Sequence, residues 1–158
     1  KADFIRVTPA PAISILNKTS GLLANYYEGQ WKKMPDFNKI LRVRSSSVAT
    51  PDLGQLQTRQ YNYAVRFSGY VNIPETGIYT FYINSDDGSQ LYLDDQKLVD
   101  NDGSHGDLEK SGDKALAAGL HRFWVNYFQN ESGQTLQVFI KGPGIVKQIV
   151  PASMFFYN

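Results

Sequence analysis

Alternation of residue character along short runs is the feature that most constrains this chain. GIYTFYIN (77–84) sets Tyr79, Phe81 and Ile83 against Ile78, Thr80 and Tyr82, and SQLYLD (89–94) places Leu91 and Leu93 opposite Tyr92. LHRFWVNYF (120–128) sets Phe123, Val125 and Tyr127 against Trp124, Asn126 and Phe128. TLQVFIK (135–141) sets Leu136, Val138 and Ile140 against Gln137 and Phe139. Successive side chains of a strand point to opposite faces, so these runs are strands, and their aromatic and β-branched content suits a pleated surface. They are punctuated by PETG (74–77), DDGS (86–89), LDDQK (93–97), AAG (117–119), NESGQ (130–134) and GPG (142–144), which carry turn chemistry. Helical period is nowhere sustained, because Gly119 cuts KALAAGL (114–120) short. Short strands and tight turns predict an all-β chain, an antiparallel β-sandwich or barrel-like domain.

A chain of 158 residues suits one domain and buries roughly 68–70% of its unfolded surface without disulfide help. There are no cysteines, which removes thiol catalysis and cysteine–zinc sites. The 16 basic and 15 acidic residues give a net charge of +1, so nothing recruits nucleic acid, and no apolar run approaches the ~20 residues of a membrane span. Residues 1–20, with Pro9 and Pro11, read as a linker or N-terminal extension of a module within a longer protein, and 21–158 as the single β-sandwich domain. Within it, 28–60 is the irregular stretch, and Trp31, Met34 and Phe37 are expected to pin it to the sheet.

The chemistry concentrates at Asp86 and Asp87, where one strand ends and another begins. Three readings compete. As a hydrolytic pair, the two carboxylates would need to lie ~5–9.5 Å apart on opposite sides of the scissile bond, a geometry that neighbouring residues rarely achieve. As a cation site they suit calcium, which takes carboxylate, amide and carbonyl oxygens. Adjacent carboxylates converge on one ion only if the backbone turns sharply between them, as a cis peptide does. As an ordinary turn, Asp oxygens cap backbone N–H groups and Gly88 takes positive φ. VDNDGSHGD (99–107) adds oxygen donors at Asp100, Asp102 and Ser104 but lacks the spacing of an EF-hand. His121, Trp124 and Tyr92 are expected to pack, and no nucleophile, zinc or phosphate-loop motif is present.

FSGYVNIPETGIYTFYINSDDGSQLYLDDQKLVDNDG (67–103) resembles the core signature of the protective-antigen fourteen-kilodalton domain. GLLANYY (21–27), LAAGLHRFWVNYFQNESGQTLQVFIKGPG (116–144) and IVPASMFFY (149–157) are similar to its other segments, the last to versions appended to glycosidases such as β-hexosaminidases and fucosidases. The resemblance implies a non-catalytic accessory carbohydrate-binding module, extracellular or periplasmic, attached to the catalytic domain of a glycoside hydrolase. It also implies calcium as cofactor, held by two aspartates joined by a cis peptide, with the ion in turn holding sugar hydroxyls. Those positions match Asp86 and Asp87, and Asn130, or alternatively Gln129, matches the amide ligand. Asn101, Asp102 and His105 are then the expected glycan contacts beside them. The competing expectation is an interdomain packing module without glycan binding of its own.

Overall fold

A computed structural model describes residues 7–158. Its strands, among the described residues, are β1 (Thr19–Ser20), β2 (Leu22–Glu28), β3 (Arg42–Val48), β4 (Tyr63–Ile73), β5 (Gly77–Asp86) and β6 (Ser89–Leu93). They continue with β7 (Gln96–Asn101), β8 (Leu108–Leu116), β9 (Gly119–Gln129), β10 (Thr135–Gly142), β11 (Ile145–Ile149) and β12 (Phe155–Tyr157). They form two antiparallel sheets. In the larger, β4 pairs β9, which pairs β6 and then β7, while the other edge of β4 is shared by β2 and β12. The smaller runs β11-β10-β5-β8.

The alternation in the sequence becomes the division between core and surface. Tyr79, Phe81 and Ile83 of β5, Leu91 and Leu93 of β6, Phe123 and Val125 of β9, and Leu136, Val138 and Ile140 of β10 all point into one buried cluster. Phe81 of the smaller sheet meets Phe123 of the larger at a ring-centroid distance of 6.4 Å, and Phe123 packs on Phe155 of its own sheet at 5.1 Å. Ile78, on the opposite face of β5, is exposed.

The irregular stretch is pinned as its aromatics suggest. Phe37 lies under 10% exposed with Tyr27, Ala64 and Phe128, and Trp31 and Met34 pack on that second cluster. The same stretch contains β3, which alternation does not reveal. RVRSSSV pairs with β2 alone and buries only Val48, so it has no buried face to impose a period. Strand β8 is hidden for the same reason, although it follows β5 through nine paired positions. Nor do residues 10–20 stand clear of the domain. Ala10 N donates to Ala115 O and Ala117 N to Ala10 O, both at 2.9 Å, and β1 pairs β12. His121 is fully buried and structural, its Nδ1 2.9 Å from Asp94 Oδ2 and its Nε2 2.7 Å from Ala117 O.

Tyr63 stands at 0% exposure between Tyr26 and Tyr127, and burial pushes its hydroxyl up to about 12. A raised tyrosine pKa means stability is fully present below the unfolded value near 10 and is lost as pH rises towards 12. We expect urea midpoints to fall between pH 9 and pH 11.5, with Tyr63 contributing about 2 kcal/mol. In Tyr63→Phe that part of the alkaline loss should vanish, and an unchanged pH dependence would contradict the burial argument.

Candidate functional site

Strand β5 belongs to the smaller sheet and β6 to the larger, so the turn between them carries the chain across one end of the sandwich. Asp86 is the last paired residue of β5, opposite Thr135 of β10. Ser89 opens β6 between Asn101 of β7 and Tyr127 of β9. The crossing is sharp, and the Asp86–Asp87 peptide is cis. Gly88 does not take positive φ. Its place is dictated by room instead, since a Cβ there would lie 2.4 Å from the Phe128 ring and 2.9 Å from both N and O of Gly103.

The two carboxylates have different surroundings. Asp87 is 4% exposed. Its Oδ1 accepts from His105 N at 3.1 Å and Ser104 Oγ at 3.4 Å, and its Oδ2 accepts from Asn130 N at 2.8 Å. One side chain therefore gathers the 102–107 and 130–134 loops onto the turn, with charge-assisted bonds that are stronger than neutral ones. The Asp86 carboxylate accepts no hydrogen bond among the described residues, while its backbone O accepts from the Tyr127 hydroxyl. Gly133 lets the loop close beside it, for a Cβ there would come 3.2 Å from Asp86 Oδ2. Burial, then the neighbouring carboxylates of Asp87 and Asp107, raise the Asp86 pKa, against a smaller opposing effect of His105. Two carboxylates held this way repel, and a bound cation relieves that repulsion.

Asn130 is the amide that reaches the pair. It is buried, its Nδ2 lies 3.4 Å from Ser104 Oγ, and its Oδ1 is buried without a partner. An orphaned amide oxygen next to Asp87 is what a calcium ligand set requires. Gln129 is satisfied by other partners, its Nε2 donating to Ser132 O at 3.1 Å and Gln60 O at 3.5 Å and its Oε1 accepting from the Tyr127 hydroxyl at 3.5 Å. No three His, Cys, Asp or Glu side chains among the described residues are grouped to hold a metal. A cation here would therefore draw on Asp86, Asp87, Asn130 Oδ1 and backbone carbonyls, a mixture that fits calcium better than zinc.

The expected glycan contacts divide. His105 lines the open depression with Asp86, Asp87 and Ser104, although its ring nitrogens each lie 2.8 Å from a carbonyl, of Gly106 and Asn101. Asn101 is corrected from ligand contact to internal brace. It is 0% exposed, and its Nδ2 donates to Leu108 O at 2.7 Å and Ser85 Oγ at 3.3 Å. Asp102 is drawn away too, because its Oδ1 accepts from Met34 N at 2.8 Å and Gly103 N at 2.7 Å, tying the aromatic-pinned segment to this loop. Glu131 and Ser132 line the depression but carry no signal in the sequence beyond lying in the same loop as Asn130. Tyr127 likewise reads only as a core residue until its hydroxyl meets Asp86 O.

Comparison with known proteins agrees with this architecture. The model of a family described as the PA14 domain matches residues 18–153. The anti-sigma-I factor RsgI3 of Acetivibrio thermocellus is 30% identical over 142 residues, covering 87% of this chain and 21% of that protein. A solved structure of an anti-sigma factor domain-containing protein superposes with TM-score 0.75 at 25% identity, over 88% of this chain and 48% of that one. The PA14 sugar-binding domain from an RTX adhesin superposes at 0.73 with 15% identity, over 88% of this chain and 99% of that one. The chain thus spans about a fifth of its curated relative and about half of the anti-sigma structure. The kinship expected was with glycosidase-borne versions, whereas these two relatives are described as an anti-sigma-I factor and an anti-sigma factor domain-containing protein.

Proposed function

The chain belongs to the PA14 domain family, and from that premise we propose that it is a glycan-binding module of a larger extracytoplasmic protein, with Asp86, Asp87 and Asn130 holding calcium. The observation that carries this reading is the pair of adjacent carboxylates at an open depression, with Asn130 bonded to Asp87 Oδ2 through its backbone N and its own Oδ1 buried without a partner. The fold likeness to a sugar-binding domain supports the ligand class. When bound, calcium supplies open coordination positions to which vicinal sugar hydroxyls can bind in place of water. The protein's own part is to orient and to discriminate. Asp87 holds both loops in place, Tyr127 fixes the Asp86 carbonyl, and His105, Glu131 and Ser132 border the sugar.

The likeness to anti-sigma factors favours a regulatory parent over a hydrolytic one, with this module reporting glycan outside the cell. Affinity at so shallow a site is modest, and tethering to a larger protein raises the effective concentration. No turnover of glycosides by the isolated domain is expected.

Calorimetry of calcium into EDTA-stripped domain tests the metal, followed by a glycan array with and without calcium. Saturable heat should disappear in Asp86→Ala, and Asn130→Ala should weaken binding about tenfold or more, the equivalent of ~1.4 kcal/mol. Absence of saturable heat in the wild type at millimolar calcium would overturn the calcium assignment. A silent array in both conditions would overturn glycan binding.

A further inference from the structure

The outer face of the larger sheet carries a second chemical feature. Register places Leu23, Ser68, Trp124, Tyr92 and Lys97 in one row across β2, β4, β9, β6 and β7. The neighbouring row is Asn25, Arg66, Asn126, Gln90 and Asp100. Trp124 and Tyr92, expected to pack inward, instead stand on this face, half-buried, with their rings stacked at 4.8 Å and 17°. Tyr92 therefore covers the indole on the β6 side. On the β4 side the neighbour is only Ser68, and there the surface drops into a slot lined by Trp124, Leu23, Ser68, Tyr70, Arg122 and Tyr157.

We propose that this slot is a second, calcium-independent glycan subsite, in which a sugar ring lies against the indole of Trp124. The small side chain of Ser68 leaves space beside an aromatic wall, and the apolar C–H face of a pyranose matches such a wall. Arg122, Tyr70 and Tyr157, which line the slot, carry polar groups suited to sugar hydroxyls. The wall is rigid before binding. Tyr92 stacks on one side of it, and the Arg66 guanidinium, held by Asn126 Oδ1 at 2.8 Å, lies 5.9 Å from the indole centre. Rigid aromatic contacts lose little conformational entropy on binding. Six residue steps along β9 and its end lead from Trp124 to Asn130, roughly 20 Å of extended chain, so the subsite is distinct from the aspartate pair and does not depend on calcium.

The test uses Trp31→Phe, which leaves Trp124 as the sole tryptophan of the two in the sequence. Its fluorescence is titrated in EDTA with cellohexaose, xylohexaose, mannohexaose and an oligogalacturonate as probes. A saturable change with at least one probe, abolished when Ser68→Phe fills the slot, is the expected result. Calorimetry with Trp124→Ala gives an independent reading, in which binding should fall at least tenfold. No saturable change with any of the four probes overturns the proposal, as does a change that survives Ser68→Phe. A change that requires calcium and is lost in Asp86→Ala overturns it as well, while leaving the aspartate site standing.

Discussion

In calcium-free buffer, Asp87→Ala should lower the melting temperature by about 10 °C, while Asp86→Ala should leave it within about 3 °C. Adjacent, chemically identical residues rarely predict such unequal effects, and the inequality follows from their hydrogen bonds. Alanine at 87 removes the acceptor of His105 N, Asn130 N and Ser104 Oγ, leaving two backbone donors without the partner that joined their loops to the turn. Bonds to a charged group contribute about 1.5–3 kcal/mol each. Relief of repulsion from Asp86 offsets part of that, so a net loss of about 3 kcal/mol is expected. Alanine at 86 removes a half-exposed carboxylate that accepts no hydrogen bond among the described residues. Adding calcium should set both variants further below the wild type. The wild type gains about 2.7 kcal/mol at a hundredfold excess over Kd, and neither variant gains anything. Equal losses for the two alanines without calcium would sink this division of labour between bracing and binding.

Gly88→Ala is the second change with a large expected effect. The added methyl meets the Phe128 ring at 2.4 Å and the Gly103 backbone at 2.9 Å. Neither can yield easily. Phe128 is fully buried in the cluster with Tyr27, Phe37 and Ala64, and its own N donates to Gly88 O at 3.0 Å. Overpacking typically costs 1–3 kcal/mol, and with two rigid neighbours a loss of about 3 kcal/mol is expected, together with loss of calcium binding as the turn shifts. Gly106→Ala is the control, because a Cβ there meets nothing within 4 Å although the residue lines the same depression. If chemical denaturation finds the two variants equally stable, the close approach at Gly88 is wrong.

Much of this site was legible from local sequence. The adjacent aspartates, the glycine after them and the strands on either side announced a sharp acidic turn, whereas the amide at Asn130, or alternatively Gln129, came only from the family resemblance. What local sequence could not supply was direction. Asn101, Asp102 and His105 sit in one short polar segment with nothing to rank them, yet one is internal, one clamps Met34 and one lines the opening. Gln129 and Asn130 are equivalent by composition, and only the structure shows that the Gln129 amide is hydrogen-bonded within its own loop while Asn130 Oδ1 is buried without a partner.

The sequence by itself determined the strands that have one wet and one dry face, because burial of alternate residues is written directly into a period of two. It also led to the expectation that the irregular stretch 28–60 would be held to the sheet by Trp31, Met34 and Phe37, as it is. Only the tertiary structure decided the fate of β3 and β8, whose pairing rests on backbone hydrogen bonds to neighbours and leaves little trace in side-chain pattern. The same holds for Trp124 and Tyr92. Alternation put them opposite the core residues of their strands, but whether that face met a second layer, a covering loop or open solvent depended on what the rest of the chain packed against it. Phe128, on the same side of β9, is covered by the 28–41 segment, and Trp124, four residues earlier, is left half-exposed beside a slot.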